Sequence, residues 1–227
     1  MLRCNELRKS YKDVMVVDGL SFEVKKGEAF ALLGSNGAGK TTTIKMILGL
    51  LKKESGTIET EEGIRMGYSP ETPYFPPFLT GRETLTYYAR VQKIPKSEVY
   101  GEVTKQMELV GLEDNKTKVK YYSKGMLQRL AMAQAMLGNP ELLILDEPTA
   151  GLDALGRIEI MELIGQLKKQ GKTILINSHI LNDIERVCDR GIIIKKGKQM
   201  GIWDSKADYQ GKTLEDIFVE TVGGRNS

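Results

Sequence analysis

The sequence predicts an α/β protein with a mainly parallel sheet, an N-terminal antiparallel β subdomain and an inserted α-helical subdomain. Three observations carry this. The stretch Gly34 to Thr42, Gly-Ser-Asn-Gly-Ala-Gly-Lys-Thr-Thr, stands between an apolar run and a helical pattern. Short strand-like segments follow one another up to residue 33 with turn signals but no helix between them. From Pro70 the texture changes: Pro70, Pro73, Pro76 and Pro77 break the chain, and three helical stretches follow before the next strand.

The first strands are Leu2 to Leu7, Met15 to Val17, Leu20 to Val24 and Glu28 to Leu33, separated by turn signals such as Asp18-Gly19 and Lys26-Gly27. Their close spacing predicts antiparallel pairing. A helix follows over Thr42 to Leu50, with Ile44, Ile47 and Leu48 at helical spacing. Thr57 to Thr60 and Ile64 to Tyr68 read as two further strands. After the proline-rich loop, Thr80 is an N-cap, with Glu83 three residues on completing a capping box. A second helix spans Lys96 to Val110, with Val99, Val103, Met107 and Val110 on one side and Gly111 at its end. A third runs from Ser123 to about Leu137, where Gly138-Asn139-Pro140 stops it. Residues from about 71 to 138 thus read as a helical insertion within a single domain covering 1–227.

Beyond it lie a strand at Leu142 to Leu145, a helix at Ala154 to Lys169, a strand at Thr173 to Asn177 and a helix at Ile180 to Cys188. Ile192 to Lys195 and Lys198 to Ile202 form a hairpin across Lys196-Gly197, and a last helix runs from Thr213 to about Val222.

The 227 residues suffice for one large domain with a sizeable core. The net charge of +3 is a mixed, mildly basic surface without a nucleic-acid footprint. No stretch approaches the roughly 20 apolar residues of a membrane span, and Met1 to Glu6 carries no apolar signal region. Cys4 and Cys188 have no metal-like pairing, so a cytosolic protein with free thiols is expected.

The chemistry begins at Gly34, Gly39, Lys40 and Thr41, spaced as in a phosphate-binding loop. Glycines let the backbone curl so that its N–H groups point at phosphate oxygens. Lys40 can reach the β- and γ-phosphates, and the Thr41 hydroxyl can ligate Mg²⁺. Strand, glycine loop and helix are the setting expected of a P-loop NTPase core, and the helix N-terminus adds unpaired N–H groups for the anion. The apolar strand at Leu142 delivers Asp146 at its carboxyl end, where it can hold the Mg²⁺ hydration shell. Glu147 beside it can orient or deprotonate an attacking water. His179, the one histidine, follows an apolar strand directly, which predicts the same sheet edge as Gly34 and Asp146 and a contact to the γ-phosphate. Tyr122 to Arg129 opens a helix whose Ser123 and Gly125 can present a hydroxyl and a backbone N–H to an anion.

Together these stretches resemble the ATP-binding cassette (ABC) ATPases, the nucleotide-binding subunits of ABC transporters, over nearly the whole chain and in the family's order. The resemblance makes Gly34, Ser35, Asn36, Gly37, Ala38, Gly39, Lys40, Thr41 and Thr42 the Walker A loop. Ser69-Pro70-Glu71 falls at the Q-loop, Ser123 to Gly125 in the signature motif and Leu142 to Glu147 at Walker B. Ala150 to Asp153 falls at the D-loop and Ser178-His179 at the switch histidine, and Tyr11 matches the aromatic that stacks on adenine. The implied action is ATP hydrolysis by two copies, as homo- or heterodimer, that sandwich two ATP. Ser123 and Gly125 would bind ATP across the dimer. Glu147 would act on water, Lys40 and His179 on the developing charge, and Thr41, Glu71 and Asp146 on Mg²⁺. The implied partners are a second ATPase subunit and an integral membrane permease, the implied location the cytoplasmic face of the plasma membrane.

Glu71 stands where the family usually has Gln, bringing a negative charge towards the γ-phosphate. Lys124 and Met126 stand where the commonest signature has Gly and Gln; Lys124 either adds charge near a phosphate or points to solvent. With Gly67 to Glu71, Leu79 to Glu83, Tyr122 to Met126 and Leu214 to Phe218, the chain is similar to the drug- and bacteriocin-export branch. The apolar Tyr74, Phe75, Phe78 and Leu79 are expected to be exposed where a membrane subunit docks, or else to cover the chain's own insert. A non-transport ABC ATPase of cofactor assembly or repair is the alternative. A GTPase is disfavoured because Asn115-Lys116-Thr117-Lys118 lacks the final Asp of the guanine-reading motif. The transported substrate and the role of the tail after Gly223 are not encoded in these motifs.

Overall fold

The structure is a computed structural model that describes residues 1–223; the tail beyond Gly223 lies outside them. The strands are β1 (Leu2–Tyr11), β2 (Val14–Val24) and β3 (Ala29–Leu33), followed by helix α1 (Lys40–Ile47), β4 (Ser55–Thr60) and β5 (Met66–Ser69). Helices α2 (Gly81–Val91), α3 (Lys96–Leu109) and α4 (Lys124–Met136) come next, with a short 3₁₀ turn at Val119–Tyr121 before α4. The order closes with β6 (Leu142–Asp146), α5 (Ala154–Lys169), β7 (Thr173–Ser178), α6 (Leu181–Val187), β8 (Arg190–Lys195), β9 (Lys198–Asp204) and α7 (Leu214–Gly223). They fall into two compact units: Met1–Gly63 with the chain from Gln170 onward, and Ile64–Lys169.

In the first unit, β1 lies between β2 and β4 and is antiparallel to both. Its core face is read by Leu2, Cys4 and Leu7, a pattern that alternates and then slips by one. The slip is a β-bulge: Cys4 pairs with Phe22 and Leu7 with Leu20, three steps against two, and Glu6 takes a left-handed φ of 48°. Without that extra residue Glu6, not Leu7, would point inward.

A second bulge corrects the sequence reading. Asp18-Gly19 does not end a strand; β2 runs unbroken from Val14 to Val24. Leu7 pairs with Leu20 and Arg8 with Asp18, so Gly19, at φ 72°, is the unpaired extra residue. A turn-forming dipeptide also serves a bulge, because both need the left-handed region that Gly occupies freely.

The expectation of antiparallel pairing holds for β1 and β2 but not for β3. All five residues of β3 are buried, and it runs parallel to β7 on one side and β8 on the other. A strand covered on both faces reads as a continuous apolar run, which suits a parallel sheet. Phe30 of β3 stacks on Phe22 of β2 at 5.6 Å between ring centres, joining the two sheets of this unit in one core. The hairpin of β8 and β9 turns at Lys196 and Gly197, both with positive φ, as a two-residue hairpin turn matching the strand twist requires. Helix α7 packs on β8, β9 and α6, anchored by fully buried Leu214.

In the second unit β5 and β6 pair in parallel, Tyr68 opposite Ile144 and Ser69 opposite Leu145. Helices α2, α3 and α4 pack together through Leu85, Val103, Met107 and Leu130, all buried. Val99, Val103, Met107 and Val110 do share the buried side of α3 and its end. Gly67 lets α4 approach β5, since a Cβ there would run into the Ala135 carbonyl. The start of α2 forms the predicted capping box, Thr80 accepting from the Glu83 amide while Glu83 accepts from that of Thr80.

Candidate functional site

In the first unit β3 ends at Leu33 and the chain turns through residues 34–39 into α1. The turn is held from below. A Cβ on Gly34 would stand 2.5 Å from the Ile194 carbonyl oxygen, and one on Gly39 2.5 Å from that of Val16. Gly37 and Gly39 have φ of 79° and 103°. The loop's shape therefore depends on glycine at both ends, for closeness at Gly34 and for closeness and backbone angle at Gly39. Ala38 accepts from the Gly197 amide at 3.0 Å, which ties the loop to the β8–β9 turn. Ser35, Asn36 and Gly37 are exposed at the tip, and Ala38 is buried.

Gly39 is the N-cap of α1, where no side chain caps the helix and no acidic residue occupies the first turn. The partial positive charge of this N-terminus is thus not offset from within α1. Lys40 is 6% exposed, and its ammonium curls back to the carbonyls of Gly34 at 2.7 Å and Ser35 at 3.2 Å. Thr41 and Thr42, half-buried, follow in the first turn. A loop of curled amides, a lysine inside the curl and an uncapped helix start suit a polyphosphate.

Leu33 pairs with Ser178, so Gly34 and His179 leave the sheet at the same edge, with His179 exposed. Ser178 accepts from the Ile180 amide at 3.0 Å, which turns the chain there. Tyr11 ends β1 opposite Val14; its ring is 48% exposed, with the Lys9 ammonium 5.8 Å from its centre.

The second unit holds the acids. Asp146 ends β6 at 1% exposure, and Glu147 follows at 5% in the left-handed region, with φ 50°. A buried glutamate there is a strained placement that the surroundings must enforce. The Tyr68 hydroxyl donates to Asp146 Oδ2 at 3.4 Å. Burial first, then the charges of Asp146 and Glu71, push the Tyr68 phenol well above its ordinary value, so it keeps its proton. Glu71 is exposed in the loop after β5.

Ser123 is the N-cap of α4 and accepts from the Met126 amide at 3.2 Å; it is exposed, and its hydroxyl hydrogen remains a donor. Gly125 faces the Leu152 side chain. Lys124 is exposed, and its side chain lies over Gly151, where a Cβ would run into the ammonium nitrogen. The buried Tyr122 accepts from the Gly81 amide at 3.1 Å, tying the start of this segment to α2.

The family model of the ABC transporter matches residues 17–150, which include the phosphate loop, the Ser123 segment and the Asp146-Glu147 pair. The chain belongs to the ABC transporter family. Among ABC proteins, an uncharacterized ABC transporter ATP-binding protein of Synechocystis is 47% identical over 79% of the chain. The chain spans 54% of that relative's length. The bacitracin transport ATP-binding protein BcrA of Bacillus licheniformis is 44% identical over 100% of the chain, which spans 72% of it. A solved ATP-binding subunit of an ABC transporter superposes with a TM-score of 0.86 at 32% identity, covering 97% of this chain and 99% of that one.

Of the ABC motif residues, the loop 34–42 and His179 are brought to one sheet edge in the first unit, while Asp146 and Glu147 adjoin in the second. Sequence reading missed three contacts: Tyr68 with Asp146, Lys124 with Gly151, and Tyr122 with Gly81. Only the two-residue periodicity of β5 hints at the first, since it sets Tyr68 on one face. The proline-rich loop divides between the two expectations for it. Tyr74 and Phe78 are 85% and 69% exposed, but Phe75 is buried against Tyr88 and Leu79 is half-buried. Phe75 packs edge-on against Tyr88, while Tyr74 stands mostly in solvent at the rim of the same groove.

Proposed function

We propose that the chain is the ATP-hydrolysing, nucleotide-binding subunit of an ABC exporter. The observation that carries this is the loop 34–39, whose glycines are packed against the Ile194 and Val16 carbonyls and which opens into an uncapped α1. On this reading the loop amides, Lys40, Thr41 and Thr42 hold the phosphates of ATP and Tyr11 stacks on the adenine. Lys40 gives up its loop carbonyls for phosphate oxygens when nucleotide arrives.

The oxygen donors Thr41, Asp146 and Glu71 fit Mg²⁺, which binds through one or two carboxylates together with phosphate oxygens. The ion, when bound, supplies positive charge to the phosphates. Glu147 takes the proton of the attacking water, and Lys40 and His179 stabilise charge on the departing phosphoryl group. Both compact units serve one domain, residues of about 71–138 being its helical part.

Exposed Ser123 and half-buried Gly125 at the start of α4 suit an ATP held by a second copy, homologous or identical. The exposed Tyr74 and Phe78 suit an integral membrane permease reached from the cytoplasmic face of the membrane. Tyr68, Pro73, Tyr74, Phe75 and Tyr88 line a groove of about 330 Å³ for it. No nucleic-acid partner is proposed. Among the described residues no helix is long and apolar enough to cross a membrane.

The test is a pull-down of tagged Glu147→Gln protein with ATP from detergent-solubilised membranes of the native host. A stoichiometric integral membrane protein is the expected catch. Recovery of soluble partners alone, from protein shown to bind ATP, turns the reading to an assembly or repair ATPase.

A further inference from the structure

We infer that Tyr68 is a positioning residue for Asp146, and that one side chain thereby ties the partner groove to the metal-side carboxylate. This rests on the reading of Asp146 given above.

The geometry comes from register. In the parallel pair β5–β6, Tyr68 stands opposite Ile144. Side chains alternate along a strand, so Tyr68, Ile144 and Asp146 share a face. The phenol spans from the groove it lines with Tyr74, Phe75 and Tyr88 to Asp146 Oδ2, where its hydroxyl donates at 3.4 Å. Tyrosine suits this place because one end is apolar and the other a hydrogen-bond donor. Phenylalanine would fill the same wall and leave Oδ2 without that donor.

Asp146 is 1% exposed, so water cannot fix its orientation as it would on the surface. A buried carboxylate is held by the donors the fold provides. A hydroxyl on Oδ2 restricts rotation about the last side-chain torsion and so contributes to which way the carboxylate faces. Precise orientation of a metal-side ligand by an outer donor is a common determinant of metal affinity.

Tyr68 is followed by Ser69, Pro70 and Glu71, and Pro73 comes soon after. Ser69 is fully buried and the prolines fix their φ, so little slack separates Tyr68 from the loop. A change in how Asp146 is held is therefore felt at the strand end where the groove begins. Pressure on the groove is felt at Asp146 in return.

The experiment uses the full chain and its Tyr68→Phe and Asp146→Asn variants. Mn²⁺, a spectroscopic substitute for Mg²⁺, is titrated by electron paramagnetic resonance with a non-hydrolysable ATP analogue present. Binding of a fluorescent ATP analogue in chelator measures nucleotide affinity without metal. Tyr68→Phe is expected to weaken Mn²⁺ by about tenfold, the low end of what loss of an outer donor to a metal ligand costs. Metal-free nucleotide affinity should stay within about twofold, since the phosphates are held elsewhere. The double variant should bind Mn²⁺ no more weakly than Asp146→Asn alone.

Unchanged Mn²⁺ affinity in Tyr68→Phe, with affinity lost in Asp146→Asn, overturns the role of Tyr68 and leaves that of Asp146 standing. Unchanged affinity in Asp146→Asn overturns both. A matching loss of metal-free nucleotide binding in Tyr68→Phe makes the tyrosine a general support of the fold and also overturns the inference.

Discussion

The Val16 carbonyl lies against Gly39, so close that a Cβ on Gly39 would stand 2.5 Å from its oxygen. Strand β2 thus sets the end of the phosphate loop, and the Gly39 φ of 103° excludes most side chains independently. Gly39→Ala is expected to destabilise the protein by about 1–3 kcal/mol, from left-handed strain and displacement of β2. Urea unfolding reads the loss, and binding of a fluorescent ATP analogue should fall with it. A variant as stable as the wild type would mean that β2 yields to the methyl group.

Glu147→Gln keeps the shape of the side chain and removes its basicity. Phosphate release should drop by at least about 100-fold, the contribution of a positioned general base. ATP binding should persist, and with it an ATP-dependent dimer seen by size-exclusion chromatography. Turnover near the wild-type rate would remove Glu147 from the reaction.

Tyr122→Phe takes the acceptor from the buried Gly81 amide. A buried donor left unpaired costs about 1–3 kcal/mol, so the urea midpoint should fall accordingly. Because Tyr122 precedes Ser123, the variant also tests whether α2 holds the start of α4 in place. Retained ATP affinity with weakened ATP-dependent dimerisation is the expected split.

Acid should loosen the first turns of two helices and one sheet edge together. Hydrogen bonds from the Thr80 amide, then Lys118, hold Glu83 below the usual carboxylate range. Ser10, and to a lesser degree Lys9, does so for Glu54, and Thr213 for Asp216. A carboxyl group depressed in the folded state adds stability that is fully present above its unfolded pKa, about 3.9–4.3 for these types. That contribution disappears as pH falls through the depressed folded value. Glu83→Gln and Glu54→Gln should be less stable than wild type at pH 7, and the gap should shrink as pH falls below about 4, measured by chemical denaturation. A gap of constant size would trace their effect to packing instead of charge.

Tyr74 and Phe78 bury little of themselves, so Tyr74→Ala with Phe78→Ala should shift stability by no more than about 0.5 kcal/mol. ATP hydrolysis by the isolated subunit should be unaffected. Recovery of an integral membrane protein in the ATP-dependent pull-down should fall at least about tenfold if both rings sit at the centre of that interface.

Much of this molecule is written locally. The capping box at Thr80 and Glu83, the end of α3 at Gly111 and the α5 limits at Ala154 and Lys169 all follow from residues within a turn or two of one another. Helical period, caps and breakers act over such distances. The strand-loop-helix order around Gly34 is equally local, which is why the chemical class of the ligand was readable. The error at Asp18-Gly19 has the same origin, since one backbone region serves both a turn and a bulge.

The sequence by itself determined which residues can do chemistry and the secondary structure that carries them. Only the tertiary structure decided which strands lie beside β3, that Phe75 is covered while Tyr74 is not, and that Tyr68 reaches Asp146 across 78 positions of chain. The physical reason is that strand partners and side-chain contacts are settled by packing and by pairing of buried polar groups. Neither term is a property of any short stretch of chain.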